Sequence, residues 1–242
     1  MLGVVGCQVF VSLIFEIIGV RGGQVRSSLC ARESGSAEGL CEVARIEFFY
    51  DVVSPYSYLA YGRVNQICEE HGAELMLRPM LLGAVHKAVG LRSPIEIKSK
   101  GRYQLRDIDR WAEHYGLPMK FPDPFPFRTL KTMRAAVALE GDGDLEPFTR
   151  EAFNLYWEEG GAPKGFEVTD EDGPLREVAR RIGRDPEEVL EKASSGETKE
   201  ALKSATSEAI ERGVFGAPAF FVGDEMFWGN DRLHFLEAVL KG

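Results

Sequence analysis

Cysteine is scarce where a redox protein would need it. Of the four cysteines, Cys7, Cys30 and Cys41 fall in the first 41 residues and only Cys68 lies beyond them. No two are spaced as Cys-x-x-Cys, which excludes a vicinal redox pair and a zinc ribbon. One thiol cannot form a disulfide framework from residue 45 onward, and this fits a reducing, cytoplasmic setting. Cys68 lies among apolar residues in a helical stretch and reads as a small buried hydrophobe. Positive charge is also short, with 29 Lys and Arg against 38 Asp and Glu, a net charge of −9. That argues against a nucleic-acid partner, because phosphate binding needs a basic patch. The four histidines, His71, His86, His114 and His234, show no HxxxH or HExxH spacing, so no metal site is expected. Gly141, Asp142, Gly143 and Asp144 lack the distal acid of a calcium loop and read as a turn. The glycine signatures GxGxxG, GxxxxGK[ST] and GxSxG are absent.

A long apolar run is missing too. Residues 4–20 are mostly apolar but are broken by Gln8 and Glu16, too short and too polar for a membrane span. The first arginine, Arg21, follows that run, whereas a signal peptide carries its positive charge before it. Residues 1–44 therefore read as a poorly ordered extension ahead of the folded body, with a true start further downstream, a leader or an anchor left open. From Arg45 onward the chain has clear order. Residues 46–51 read as a strand, Pro55 opens a helix that Gly72 ends, and residues 73–79 read as a second strand, a β-α-β unit with a parallel pair. Helical stretches follow at 111–116, 129–141, 146–161, 174–183, 185–195 and 197–213. Asp185 and Pro186 open one of them with a well-formed cap. Strands return at 219–222 and 225–228 around the turn pair Gly223 and Asp224, and a helix over 231–240 closes the chain. This order predicts an α/β, thioredoxin-like fold built from residues 45–82 and 206–242, with an all-helical insertion over 83–205.

Three stretches carry candidate chemistry. Ser54, Pro55, Tyr56 and Ser57 form the strand-to-helix turn, with serines where a thioredoxin-like chain would hold its two cysteines. A helix N-terminus offers free N–H groups and partial positive charge, so it stabilises an anion. A serine hydroxyl cannot exchange disulfides, but it can hydrogen-bond a thiolate supplied by another molecule. Ser54 as a plain helix cap remains the other reading. The second stretch runs from Gly213 to Phe220 and contains Ala217 and Pro218. An X–Pro bond is trans by default. In a thioredoxin fold, however, a cis-proline loop lies beside the active turn and offers the backbone of the preceding residue, here Ala217, to an extended ligand. The third stretch is Asn230 and Asp231 before the last helix. They read either as caps or, with the helix start, as a seat for an amino-acid headgroup. The basic run from Lys98 to Tyr103 reads as a solvated face or as a neighbour of a substrate carboxylate.

FFYDVVSPYSYLA, LRPMLLGAVHKAVG and RGVFGAPAFFVGDEMFWGNDRL, in that order, resemble the 2-hydroxychromene-2-carboxylate isomerases and the related kappa-class glutathione transferases, in the DsbA-like branch of the thioredoxin superfamily. The resemblance spans residues 45–242. It implies that glutathione is the cofactor, that Ser54 binds and activates its sulfur, that the backbone of Ala217, before the cis Pro218, binds its cysteinyl part, and that Asn230 and Asp231 hold its γ-glutamyl group. Leu91 and Arg128 depart from the family pattern, which often has Asn at or near both places.

The implied activity is a glutathione-dependent isomerisation of an aromatic or conjugated carbonyl substrate, with Arg92, Lys98 and Arg102 as candidates for a substrate carboxylate. The implied partner is a small molecule, with neither nucleic acid nor membrane, and a homodimer is usual in the resembling families. Kappa-type transfer or peroxidase activity, a thiol-disulfide oxidoreductase without its cysteines, and a non-catalytic binding module are the alternatives.

Overall fold

The apolar stretch before the serine turn forms strand β1 (Arg45–Tyr50). Its alternation sorts side chains to two faces. Ile46, Phe48 and Tyr50 enter the larger core, whereas Phe49 enters a second, smaller one. A strand buried on both faces must be central, and β1 is. It pairs in parallel with β2 (Glu74–Pro79) and antiparallel with β3 (Ala219–Val222). β4 (Glu225–Trp228) adds the outer edge, giving the order β2-β1-β3-β4. The computed structural model describes residues 43–91, 97–161 and 171–241, so the expected extension over 1–44 lies almost wholly outside the described residues.

Helix α1 (Pro55–His71) crosses between β1 and β2. Ser54 caps its start, and Gly72 ends it at φ 62°, a left-handed setting that suits a residue without Cβ. Two further helices follow β2: α2 (Leu82–Ala88) and α3 (Lys98–Tyr115). Sequence reading misses α2 and sees only the last turn of α3. Their apolar content explains this: Val85 is the one buried residue of α2, and Gly101, Ile108 and Ala112 are those of α3.

The expected helices then appear: α4 (Leu130–Glu140), α5 (Leu145–Phe153), α6 (Asp172–Arg181), α7 (Pro186–Ser194) and α8 (Gly196–Glu211). α5 runs on into a π-helical turn, Asn154–Glu158. Asp185 caps α7 as expected, accepting from Glu187 and Glu188 at 2.8 and 3.1 Å. The 141–144 segment is a turn whose acids are held by cations, Asp142 by Lys192 at 2.8 Å and Asp144 by Arg184.

The chain's end departs from expectation. Asn230–Arg232 is a 3₁₀ turn, and α9 (Leu233–Lys241) begins after it. Gly229, at the start of the 3₁₀ turn, has no side-chain cap to offer. Asp231 is drawn into an ion pair with Arg232, and Asn230 is turned into the protein, 3% exposed.

The smaller core is sealed by charge. Arg212 lies over the Phe221 ring at 4.0 Å and pairs with Glu47 at 2.8 Å, while Arg78 faces Phe49 and pairs with Glu208. Flat guanidinium groups cover aromatic faces well, because they are weakly hydrated and keep their charge paired.

Candidate active site

The site grows from turn 51–54. Ser54 is 4% exposed. Its Oγ accepts from the Ser57 N–H at 3.2 Å and donates to the Ala217 carbonyl at 3.1 Å. One hydroxyl therefore both caps α1 and reaches the β3 side of the sheet. The Ala217–Pro218 peptide bond is cis. The Pro218 carbonyl accepts from the Gly229 N–H at 3.0 Å, which ties this loop to the 3₁₀ turn bearing Asn230 and Asp231. Gly229 has φ 100°, and a Cβ there would lie 2.6 Å from Asp231 Oδ1, so only glycine lets the chain turn so close to that carboxylate.

Asn230 is the odd member. Its carbonyl accepts from the Tyr115 hydroxyl at 3.2 Å, but its buried Nδ2 finds no partner among the described residues. Buried amides are nearly always satisfied, so an unused donor asks for an acceptor from outside. Beside it opens a cleft of about 220 Å³, lined by Arg63, Trp111, His114 and Tyr115 as well as Asn230 and Asp231. From the other side, α3 closes on the turn: the Tyr56 hydroxyl donates to Asp107 at 2.9 Å. Burial first, and then Asp107, push the Tyr56 phenol upward, so it stays a neutral donor.

The structure thus brings together Ser54, Ala217, Pro218, Asn230 and Asp231. Lys98 and Arg102 lie on α3, the helix whose Asp107 meets Tyr56 of the turn. Both are exposed on the first turns of α3 and form no ion pair among the described residues. Arg92 lies outside the described residues. Leu91 and Arg128, the two departures, are both exposed.

Sequence reading misses the supports beneath the turn. Asp51 is a carboxylic acid 1% exposed, whose oxygens accept from the Val53 N–H at 3.1 Å and the Leu82 N–H at 2.9 Å. Trp157, from the π-helical turn, donates to the Val52 carbonyl at 2.8 Å. An acid closing an apolar strand just before a turn is the signal that could have marked Asp51. Cys68 is buried, and burial pushes its thiol up to about 11, far from a reactive thiolate.

The sheet order, the helices between β2 and β3 and a cis-proline facing a helix start define a thioredoxin-type protein. A family model for the DSBA-like thioredoxin domain matches residues 45–241. A 2-hydroxychromene-2-carboxylate isomerase of Sphingobium xenophagum is 33% identical, covering 81% of this chain and 97% of that protein. The human glutathione S-transferase kappa 1 is 31% identical, covering 81% and 90%. A solved 2-hydroxychromene-2-carboxylate isomerase superposes with a TM-score of 0.72 at 31% identity, covering 81% and 94%. The chain belongs to the DsbA-like thioredoxin family, in the enzyme branch of the 2-hydroxychromene-2-carboxylate isomerases and kappa glutathione transferases.

Proposed function

We propose that this protein is a glutathione-dependent isomerase of a 2-hydroxychromene-2-carboxylate-like substrate, with Ser54 acting on a sulfur that glutathione supplies. The observation that carries this reading is the Ser54 hydroxyl, set at a helix N-terminus and 3.1 Å from the carbonyl that precedes the cis-proline. A chain with no reactive thiol of its own at this turn needs one from outside.

The free hydroxyl keeps its proton on the Ala217 carbonyl. A thiolate is a better acceptor, since charge-assisted hydrogen bonds are about twice as strong as neutral ones. The hydroxyl would rotate to it, and the α1 N-terminus would add its dipole. Together these lower the thiol pKa; two units correspond to about 2.7 kcal/mol, within reach of the pair. Ala217 would bind the cysteinyl backbone in the manner of an added strand. Asn230 Nδ2 and Asp231 would meet the carboxylate and ammonium of the γ-glutamyl end.

The thiolate adds to the conjugated carbonyl compound and forms a C–S bond as electrons move onto the carbonyl oxygen. The former double bond, now single, rotates or the ring opens. The electrons return, the C–S bond breaks, and glutathione leaves unchanged with no net redox. Lys98 and Arg102, both exposed, are candidates to receive a substrate carboxylate.

The human kappa relative favours a second reading, in which the same activated sulfur is transferred to an electrophile and stays there. Calorimetric titration with glutathione, followed by turnover of 2-hydroxychromene-2-carboxylate with and without it, tests the first reading. Binding and glutathione-dependent turnover are expected. No affinity up to millimolar glutathione, or full turnover in its absence, overturns it. A stable glutathione adduct in place of turnover selects the second.

A further inference from the structure

The acid beneath the turn takes no part in that chemistry, and its setting is unusual. Carboxylates are almost never fully buried unless a cation pairs with them. Asp51 is 1% exposed, and no Lys, Arg or His pairs with it among the described residues. Backbone and hydroxyl donors surround it instead. Oδ1 accepts from Val53 N–H, Oδ2 from Leu82 N–H, and the Thr129 hydroxyl lies beside the same group and favours its charged form. Its own carbonyl accepts from Ser54 N–H at 3.0 Å.

Three helices start close to this acid. Ser54 opens α1. Leu82 is the first residue of α2, whose N-terminus has no side-chain cap of its own. Thr129 precedes α4. The Val53 N–H of the turn and the Leu82 N–H at the start of α2 both favour the charged form of this carboxylate, while burial opposes it. Burial dominates, and Asp51 is pushed up to about 6. The ionisable groups around it are Glu171 before α6, Tyr156 in the π-helical turn and the neighbouring Tyr50. Both phenols are pushed upward by burial and stay neutral, and among the described residues Glu171 is the acid whose charge pushes Asp51 further up.

We propose that Asp51 is a positioning residue for Ser54, its ionised carboxylate fixing turn 51–54 so that the hydroxyl faces the incoming sulfur; this rests on the glutathione reading above. The reason is geometric. An ionised carboxylate accepts at both oxygens, as Val53 and Leu82 require. A protonated one carries a hydroxyl on one oxygen, a weaker acceptor than a carboxylate oxygen, so the N–H bond to it weakens. One of the two ties then opens, and the turn that carries Ser54 loosens at its base. A staple that only held the fold would leave the sulfur chemistry indifferent to this proton.

Amide resonances give the first test, on the full chain without glutathione. Val53, Ser54 and Leu82 are expected to shift together with an apparent pKa near 6, and not to do so in Asp51→Asn. In Thr129→Val, which removes a hydroxyl that lowers this pKa, the shared midpoint should move upward. Failure of the three amides to titrate together, or a downward or absent move in Thr129→Val, overturns the proposal. These readouts need no assumption about glutathione, and Thr129→Val keeps the test decisive if Asp51→Asn does not fold.

The second test follows bound glutathione by its thiolate absorbance. In Asp51→Asn the bound thiol pKa should rise about one unit, with turnover down about tenfold and glutathione Kd changed less than about threefold. An acid limb near pH 6 is expected in the wild-type turnover profile and should be absent from Asp51→Asn. Ser54→Ala is measured alongside. If Ser54→Ala leaves thiol pKa and turnover unchanged, the serine reading fails. If Ser54→Ala lowers turnover while Asp51→Asn alters neither quantity, the positioning role fails alone.

Discussion

Ser54 has one proton to give, and in the free protein that proton rests on Ala217. Ser54→Ala removes both this donor and the cap that accepts from Ser57. A hydrogen bond to an anion contributes about 1.5–3 kcal/mol, so turnover should fall roughly 10- to 100-fold. Loss of the cap should cost only about 1 kcal/mol of stability. Steady-state kinetics beside a urea melt separates the two, and unchanged turnover removes Ser54 from the chemistry. Asp51 makes the opposite kind of prediction. Its folded-state pKa, about 6, lies above the ordinary 3.8, so the folded chain holds its proton more tightly than the unfolded one. The associated stability is full below about pH 4 and is lost as pH rises through 6. About two units correspond to roughly 3 kcal/mol. The difference in unfolding free energy between wild type and Asp51→Asn should fall by about that much from pH 4 to 7, read from urea titrations at several pH values. A flat difference would show that Asp51 does not titrate there.

Elements written in local pattern were legible from sequence, and those that depend on distant partners were not. β1 and the 219–228 hairpin follow from alternation and turn residues, and α1 and α7 from their caps. α2 escaped because seven residues with one buried side chain carry no helical stripe. The candidate site divides in the same way. Its serine turn and proline loop are contiguous motifs, whereas Asp51 reaches Leu82, 31 residues on, and Trp157 reaches Val52 from 105 residues away. Of the two readings open for Asn230 and Asp231, a local pattern could not choose, because the burial of one and the ion pair of the other appear only in the folded chain. At this scale the sensitive point is Gly229. Gly229→Ala puts a Cβ against Asp231 and strains a positive φ, so it should displace the carboxylate. Glutathione affinity should weaken about tenfold, or about 1.4 kcal/mol, with the fold retained. Calorimetry checks this, and unaltered affinity would place Asp231 outside the glutathione contacts.

Over the whole molecule, net charge and helix composition set outer limits. The chain is acidic at −9, and among the described residues no helix is long and apolar enough to cross a membrane. Its centre is a pairing between the two ends of the fold. β1 lies against β3, which follows roughly 170 residues later, and the helices from α2 to α8 fill the interval. During synthesis β1 emerges early and meets β2 at once, but its other edge has no partner until the chain is nearly finished. At about 5–20 residues per second that wait is about 10–30 s. For that time Phe48 and Phe49, which later pack on Phe220 and Phe221, stand on an open strand edge. Ribosome-stalled chains ending before residue 219 should therefore be cut readily by protease within 45–79, and chains reaching 241 should resist. Equal resistance at both lengths would mean that the early helices already shelter the strand. The nascent protein is most in need of a chaperone in the stretch of translation when nearly all of its helices already exist.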